Sequence, residues 1–139
     1  MRIYQETIHN GIFSVPDLKL DWESLLSDKY KLWAKYKYAL LKFYYSPNHE
    51  GSCKDVAKEF NDNASSLNAL IMNFGRAVKK AVGDFAVMRN NKMVYWIISM
   101  NGYNDENNHF VWRLRPDLTL SLQKIAAQPH KKKKCCVEL

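Results

Sequence analysis

The chain has 139 residues, of which 47% are apolar, 25% charged and 13% aromatic, the length and balance of one globular domain rather than a two-domain enzyme. Its 21 Lys and Arg against 14 Asp and Glu give a formal charge of +7, which favours anionic partners. Five Gly and four Pro are too few for a collagenous or low-complexity chain, and no apolar run approaches the roughly 18 residues that span a bilayer. The opening MRIYQETIHNGIF lacks the apolar h-region of a signal peptide, and Cys53, Cys135 and Cys136 make no disulfide framework, so a cytoplasmic protein is expected.

The charge is unevenly spread. Residues 131–134 are four consecutive lysines; setting aside 131–139, which also holds Glu138, leaves 17 basic against 13 acidic groups, or +4. The chain therefore divides into an irregular N-terminal arm at 1–20, a folded domain at 21–127 and a disordered basic, Cys-containing tail at 128–139.

In the arm, Gly11 and Pro16 interrupt periodicity and leave room for one short strand at 11–15. Asp21 is placed to cap a short helix through Leu26, and Asp28 a longer one through about Tyr45. Trp33, Tyr36, Leu40 and Tyr44 recur there at three- and four-residue intervals, Leu32, Ala39 and Phe43 widen the stripe, and Lys29, Lys31, Lys35, Lys37 and Lys42 fall largely off it. Ser46-Pro47-Asn48 stops this helix. Residues 52–60 read as a short helix with Val56, Ala57 and Phe60 inward, 61–64 as a tight polar turn, and 65–82 as a longer helix ending at Gly83.

Past Gly83 the period drops to two. Residues 85–89 read as a strand, Asn90-Asn91 as a turn, and Val94, Trp96, Ile98 and Met100 as a return strand, together a β-hairpin. A polar loop at 101–108, a strand at 110–114 and a helix opened by Pro116, with Leu118, Leu122 and Ile125 on one face, close the domain near Ala127.

The helices within 52–82 meet the steric needs of a helix-turn-helix. Ala57 supplies the small residue where the second helix crosses the first. Four positions on, Asn61 stands where such motifs usually have Gly, and Asn accepts left-handed backbone. Leu67 and Leu70 follow where buried aliphatic residues belong, while Asp62 departs from the apolar residue common there. The second helix hides Leu67, Leu70, Ile71, Phe74 and Val78 and presents Ser65, Ser66, Asn68, Ala69, Asn73, Arg76 and Lys80. Ser and Asn side chains suit base edges or phosphates, Asn73 suits adenine, and Arg76 and Lys80 suit backbone charge. With the basic tip Arg89-Asn90-Asn91-Lys92 behind it, the order is that of a winged helix.

The expected fold is thus α+β, a winged helix-turn-helix that is mainly helical with a small antiparallel sheet. The expected function is non-catalytic binding of duplex DNA through Ser65, Ser66, Asn68, Asn73, Arg76 and Lys80 on the helix and Arg89 and Lys92 on the wing. A protein-interaction module is the competing reading, since polar outer faces of helical pairs are often only solvated.

Residues 40–125 also carry a resemblance. The small-residue helix pair, NFGRAV at 73–78, YWIISMNG at 95–102 and FVWRLRPDL at 110–118 resemble a small accessory domain at the N-terminus of prokaryotic restriction-type proteins, where it precedes HNH nuclease or McrB-like AAA NTPase modules. The resemblance implies a DNA-associated or defence-associated module. The chain has no G-x-x-x-x-G-K-[ST] and no nuclease motif, so neither chemistry carries over.

Catalysis and cofactors find little support. His9, His49, His109 and His130 lack companions at metal-ligand spacing, and Asp105-Glu106 lacks the oxygen-ligand spacing of a calcium loop. Cys53 opens a helix, whose dipole favours a thiolate, yet has no basic partner, so a structural thiol is expected. Trp22, Trp33, Trp96 and Trp112 belong to the core, while Tyr30, Tyr38 and Tyr45 with nearby lysines suit stacking of single strands. Finally, four lysines before Cys135-Cys136-Val137-Glu138-Leu139 resemble a polybasic prenylation signal, with Glu138 a departure. In a eukaryotic host Cys136 would carry a prenyl group and Cys135 a palmitate, making the protein membrane-associated; in a prokaryote the tail is only a basic end.

Overall fold

The computed structural model describes residues 1–127. Strands β1 (Arg2–Gln5), β2 (Thr7–His9) and β3 (Ile12–Ser14) precede helices α1 (Trp22–Leu25) and α2 (Leu32–Tyr44). Strand β4 (Glu50–Gly51) leads into α3 (Cys53–Glu59) and α4 (Ala64–Val82). Strands β5 (Phe85–Arg89), β6 (Lys92–Met93), β7 (Met100–Asn104) and β8 (Phe110–Leu114) follow, and α5 (Pro116–Ala126) ends the described chain. No helix among the described residues is long and apolar enough to cross a membrane. The tail, with Cys135 and Cys136, lies outside them.

The winged-helix expectation is overturned. Strands make up about 23% of the structure and form two sheets, of three and five strands, rather than a small sheet in a mainly helical domain. The first sheet runs β1-β5-β6, with β1 parallel to β5 from Arg2↔Phe85 to Gln5↔Met88. The second runs β2-β3-β7-β8-β4 and is antiparallel. The arm read as irregular therefore holds three strands. Their partners stand tens of residues away, and pairing of that range leaves no local periodicity to read.

Three smaller expectations also fail. The return strand expected from Val94 to Met100 is broken by a 3-10 turn at Trp96–Ile98, where the Ile98 and Ser99 N–H groups donate to the Tyr95 and Trp96 carbonyls. Ile97 and Ile98 are both buried, which strict alternation forbids, because here the chain passes from the three-stranded sheet to the five-stranded one. Strand β7 then continues through Asn104, well into the segment read as loop. In α2, the N-cap is Lys31 in left-handed backbone at φ 60°, not Asp28, which sits in the preceding turn.

Other elements form as their residues require. Asp21 caps α1 by accepting from the Ser24 N–H, Ser52 caps α3 through Asp55 N–H, and Asn63 caps α4 through Ser66 N–H. Leu67, Ile71, Phe74 and Val78 of α4 are wholly buried, and Phe74 stacks on Trp22 and tilts against Tyr36. Burying side chains of this size contributes about 1.5–3 kcal/mol each. α4 is thus the helix around which α1, α2 and the sheets assemble.

Polar groups join the layers. Only Glu6 separates β1 in one sheet from β2 in the other, and its nearly buried carboxylate accepts Arg89 Nε and Nη2, both at 2.6 Å. The Arg89 guanidinium also lies 5.2 Å from the Phe13 ring centroid and 5.9 Å from that of Trp96. Arg115, buried at the head of α5, donates to the Val15 and Leu18 carbonyls and to Asp117, fastening the arm to that helix.

One residue sets how closely α4 seats. A Cβ built on Gly75 would stand 2.8 Å from the Tyr95 carbonyl carbon, and closer still to its oxygen, so α4 packs directly against that backbone. Gly75→Ala should lower stability by about 1–3 kcal/mol through this overpacking, although alanine favours a helix by about 1 kcal/mol in isolation. Urea unfolding of the variant measures the balance, and an unchanged midpoint would mean that α4 can shift freely.

Candidate nucleic-acid interface

The turn between α3 and α4 is built from backbone bonds. The Asp62 N–H donates to the Ala57 carbonyl at 2.7 Å and the Asn61 N–H to the Lys58 carbonyl at 3.3 Å, with Asn61 at φ 54°, which together make a Schellman termination. Asn61 thus takes the left-handed place its sequence position suggests. Asp62 stands where an apolar residue was expected because Lys42 Nζ of α2 meets its carboxylate at 2.5 Å. That bond, with the Asn63 N–H, holds the Asp62 carboxyl below the usual carboxylate range.

The outer face of α4 carries Ser65, Ser66, Asn68, Asn73, Arg76 and Lys80, all exposed. Ser65, Asn73, Arg76 and Lys80 fall on one strip, with Ser66 at its margin and Asn68 turned toward the side that Gly75 seats on Tyr95. Arg76 is not a free arm. Its Nη1 donates to Asn73 Oδ1 at 2.8 Å and its guanidinium lies 4.8 Å from the Tyr95 ring centroid, which orients the Asn73 amide with one lone pair already in use. A planar cation is held beside an amide at the surface, ready to meet an anion with little loss of side-chain freedom.

The hairpin tip is different. Lys92 is exposed, but Arg89 spends two donors on Glu6 and lies over Phe13 and Trp96, so the residue expected to reach DNA instead ties the two sheets together. The Glu6 hydrogen bonds also raise its pKa further. Its partner is 83 positions away, which no local reading shows.

The signal that sequence reading missed is an absence of carboxylates. None occurs between Asp28 and Glu50 or between Asp62 and Asp84, stretches that hold five lysines and then Arg76, Lys79 and Lys80. Elsewhere most acids are engaged: Glu50 accepts Arg113 Nε at 2.6 Å and the Tyr103 hydroxyl, raising the Tyr103 pKa, while Glu23 meets Lys124 at 2.5 Å. Of the eight cations on the two acid-free stretches, only Lys42 has a carboxylate within 4.0 Å among the described residues.

No group of three His, Cys, Asp or Glu among the described residues is placed to hold a metal. Asp105 Oδ1 accepts the Asn107 and His109 N–H groups and so closes its own loop. His49 Nδ1 pairs with the Tyr44 carbonyl and its ring stacks on Tyr44. Burial pushes the Cys53 thiol up to about 11, outweighing the dipole at the start of α3.

Two outcomes follow. Arg89→Ala should lower the melting temperature, because it leaves the Glu6 carboxylate nearly buried and unpaired, and Arg89→Lys should recover only part, since lysine cannot form both bonds; thermal denaturation followed by circular dichroism reads both. Because burial raises the Cys53 thiol to about 11, iodoacetamide at pH 8 should label the Cys53 peptide far more slowly in the folded protein than in urea, as read by mass spectrometry. Comparison with protein-family models, curated proteins and solved structures returned no match for this chain.

Proposed function

We propose that this domain is a non-catalytic module that binds duplex DNA through the outer face of α4. The observation that carries the reading is a 19-residue helix with no carboxylate, held by a Schellman turn, whose exposed strip presents Ser65, Asn73, Arg76 and Lys80 together. A helix of about 10–12 Å diameter fits the major groove, which is about 12 Å wide. Arg76 and Lys80 supply cations for phosphates, and Asn73 and the serines supply donors and acceptors for base edges. The resemblance of residues 40–125 to accessory domains of restriction-type proteins points the same way.

Fluorescence anisotropy with a labelled duplex at 50 and 200 mM salt tests it. Binding should weaken steeply with salt, and Arg76→Ala with Lys80→Ala should reduce the slope of log K against log salt by about 1.8, the value for two phosphate contacts. No binding at 50 mM salt removes the proposal; binding that the double variant leaves unchanged moves it to another face.

A further inference from the structure

Resting on the α4 reading, we propose that α2 provides the second backbone contact of the interface, with Lys31 and Lys35 gripping the phosphates of the same duplex across the groove between α2 and α4. Three surfaces flank the open strip of α4, and charge distinguishes them. The hairpin has Arg89 tied to Glu6. α3 alternates Lys54 and Lys58 with Asp55 and Glu59, so its charges cancel. α2 contains no acid and lies antiparallel to α4: its N-terminal end faces Ala77 and Ala81, and its C-terminal half reaches Asp62 through Lys42.

At the first of those ends, Tyr30, Lys31, Lys35 and Tyr36 on one side and Ala77, Lys80 and Ala81 on the other border a groove of about 510 Å³. The two alanines keep its floor low, and the lysines stand on both walls. Lys31, Lys35 and Lys80 have no carboxylate within 4.0 Å among the described residues, so no ion pair competes with an incoming anion for them. A phosphate chain in the groove supplies the missing anions.

The spacing agrees. Packed helices lie about 8–10 Å apart, so a duplex that takes α4 into a major groove about 12 Å wide brings one bordering backbone to α2. Lys31 and Lys35 both border the groove at the start of α2, and Tyr38, 67% exposed, follows about one turn beyond Lys35.

The test compares the full chain with Lys31→Gly plus Lys35→Gln, chosen because glycine accepts the left-handed backbone that Lys31 adopts at φ 60°. Circular dichroism should show an intact fold. Duplex anisotropy should show the salt slope reduced by about 1.8, so that the affinity lost between 50 and 200 mM salt is about twelvefold smaller than for the parent chain. Lys58→Ala on α3 should leave the slope unaltered. A parent chain that binds duplex while the α2 variant keeps its slope overturns this inference alone. A parent chain that binds no duplex overturns the α4 reading with it, and stronger binding of single strands of equal length overturns the assignment of the groove to a duplex.

Discussion

The missing side chain at Gly75 is the constraint on which the candidate interface depends. Because nothing projects from that position, α4 seats against the Tyr95 backbone while its opposite flank meets α2 and its apolar stripe enters the core. One strip of the helix is left open, the one bearing Ser65, Asn73, Arg76 and Lys80. The same approach brings the Tyr95 ring under Arg76, so the packing that buries the helix also orients its cation.

Around this helix, acids and bases have been divided by use. Carboxylates that join distant segments are engaged: Glu6 bridges the sheets through Arg89, Glu50 crosses from β4 to β8 through Arg113, Asp62 draws α2 to the turn through Lys42, and Asp117 shares Arg115 with the arm. Partly buried pairs of this kind are costly to break, because removing one partner strands the other charge. Of the twelve described cations with no carboxylate within 4.0 Å, seven lie on α4 or on residues 29–37 at the start of α2. A modest net charge thereby becomes a local field of one sign, and such a field, unlike the total, can steer an anionic partner.

The turn from α3 into α4 was legible because its determinants are local. Asn61, Ala57 and the apolar stripe of α4 lie within about six turns of one another, and each acts on its near neighbours through sterics or 3.6-residue periodicity. Arg89 was misread for the opposite reason: its place at a turn suggested a free basic tip, whereas Glu6, from the far end of the chain, claims it. The lysines of α2 stood out only as lying off its apolar stripe and, beside Tyr30, Tyr38 and Tyr45, as suited to stacking single strands. Their relation to Lys80 exists only once α2 and α4 are laid side by side.

By itself the sequence determined the short-range features: the cap at Asp21, the left-handed turn at Asn61, the division of α4 into buried and open faces, and the helix opened by Pro116. These rest on hydrogen bonds and steric limits that act within a few residues. Only the tertiary structure decided that the first fourteen residues form strands, that the chain folds into two sheets, and which cations remain available. Strand pairing and ion pairing between residues about eighty positions apart depend on where the whole chain has been brought, and no pattern along it records that in advance.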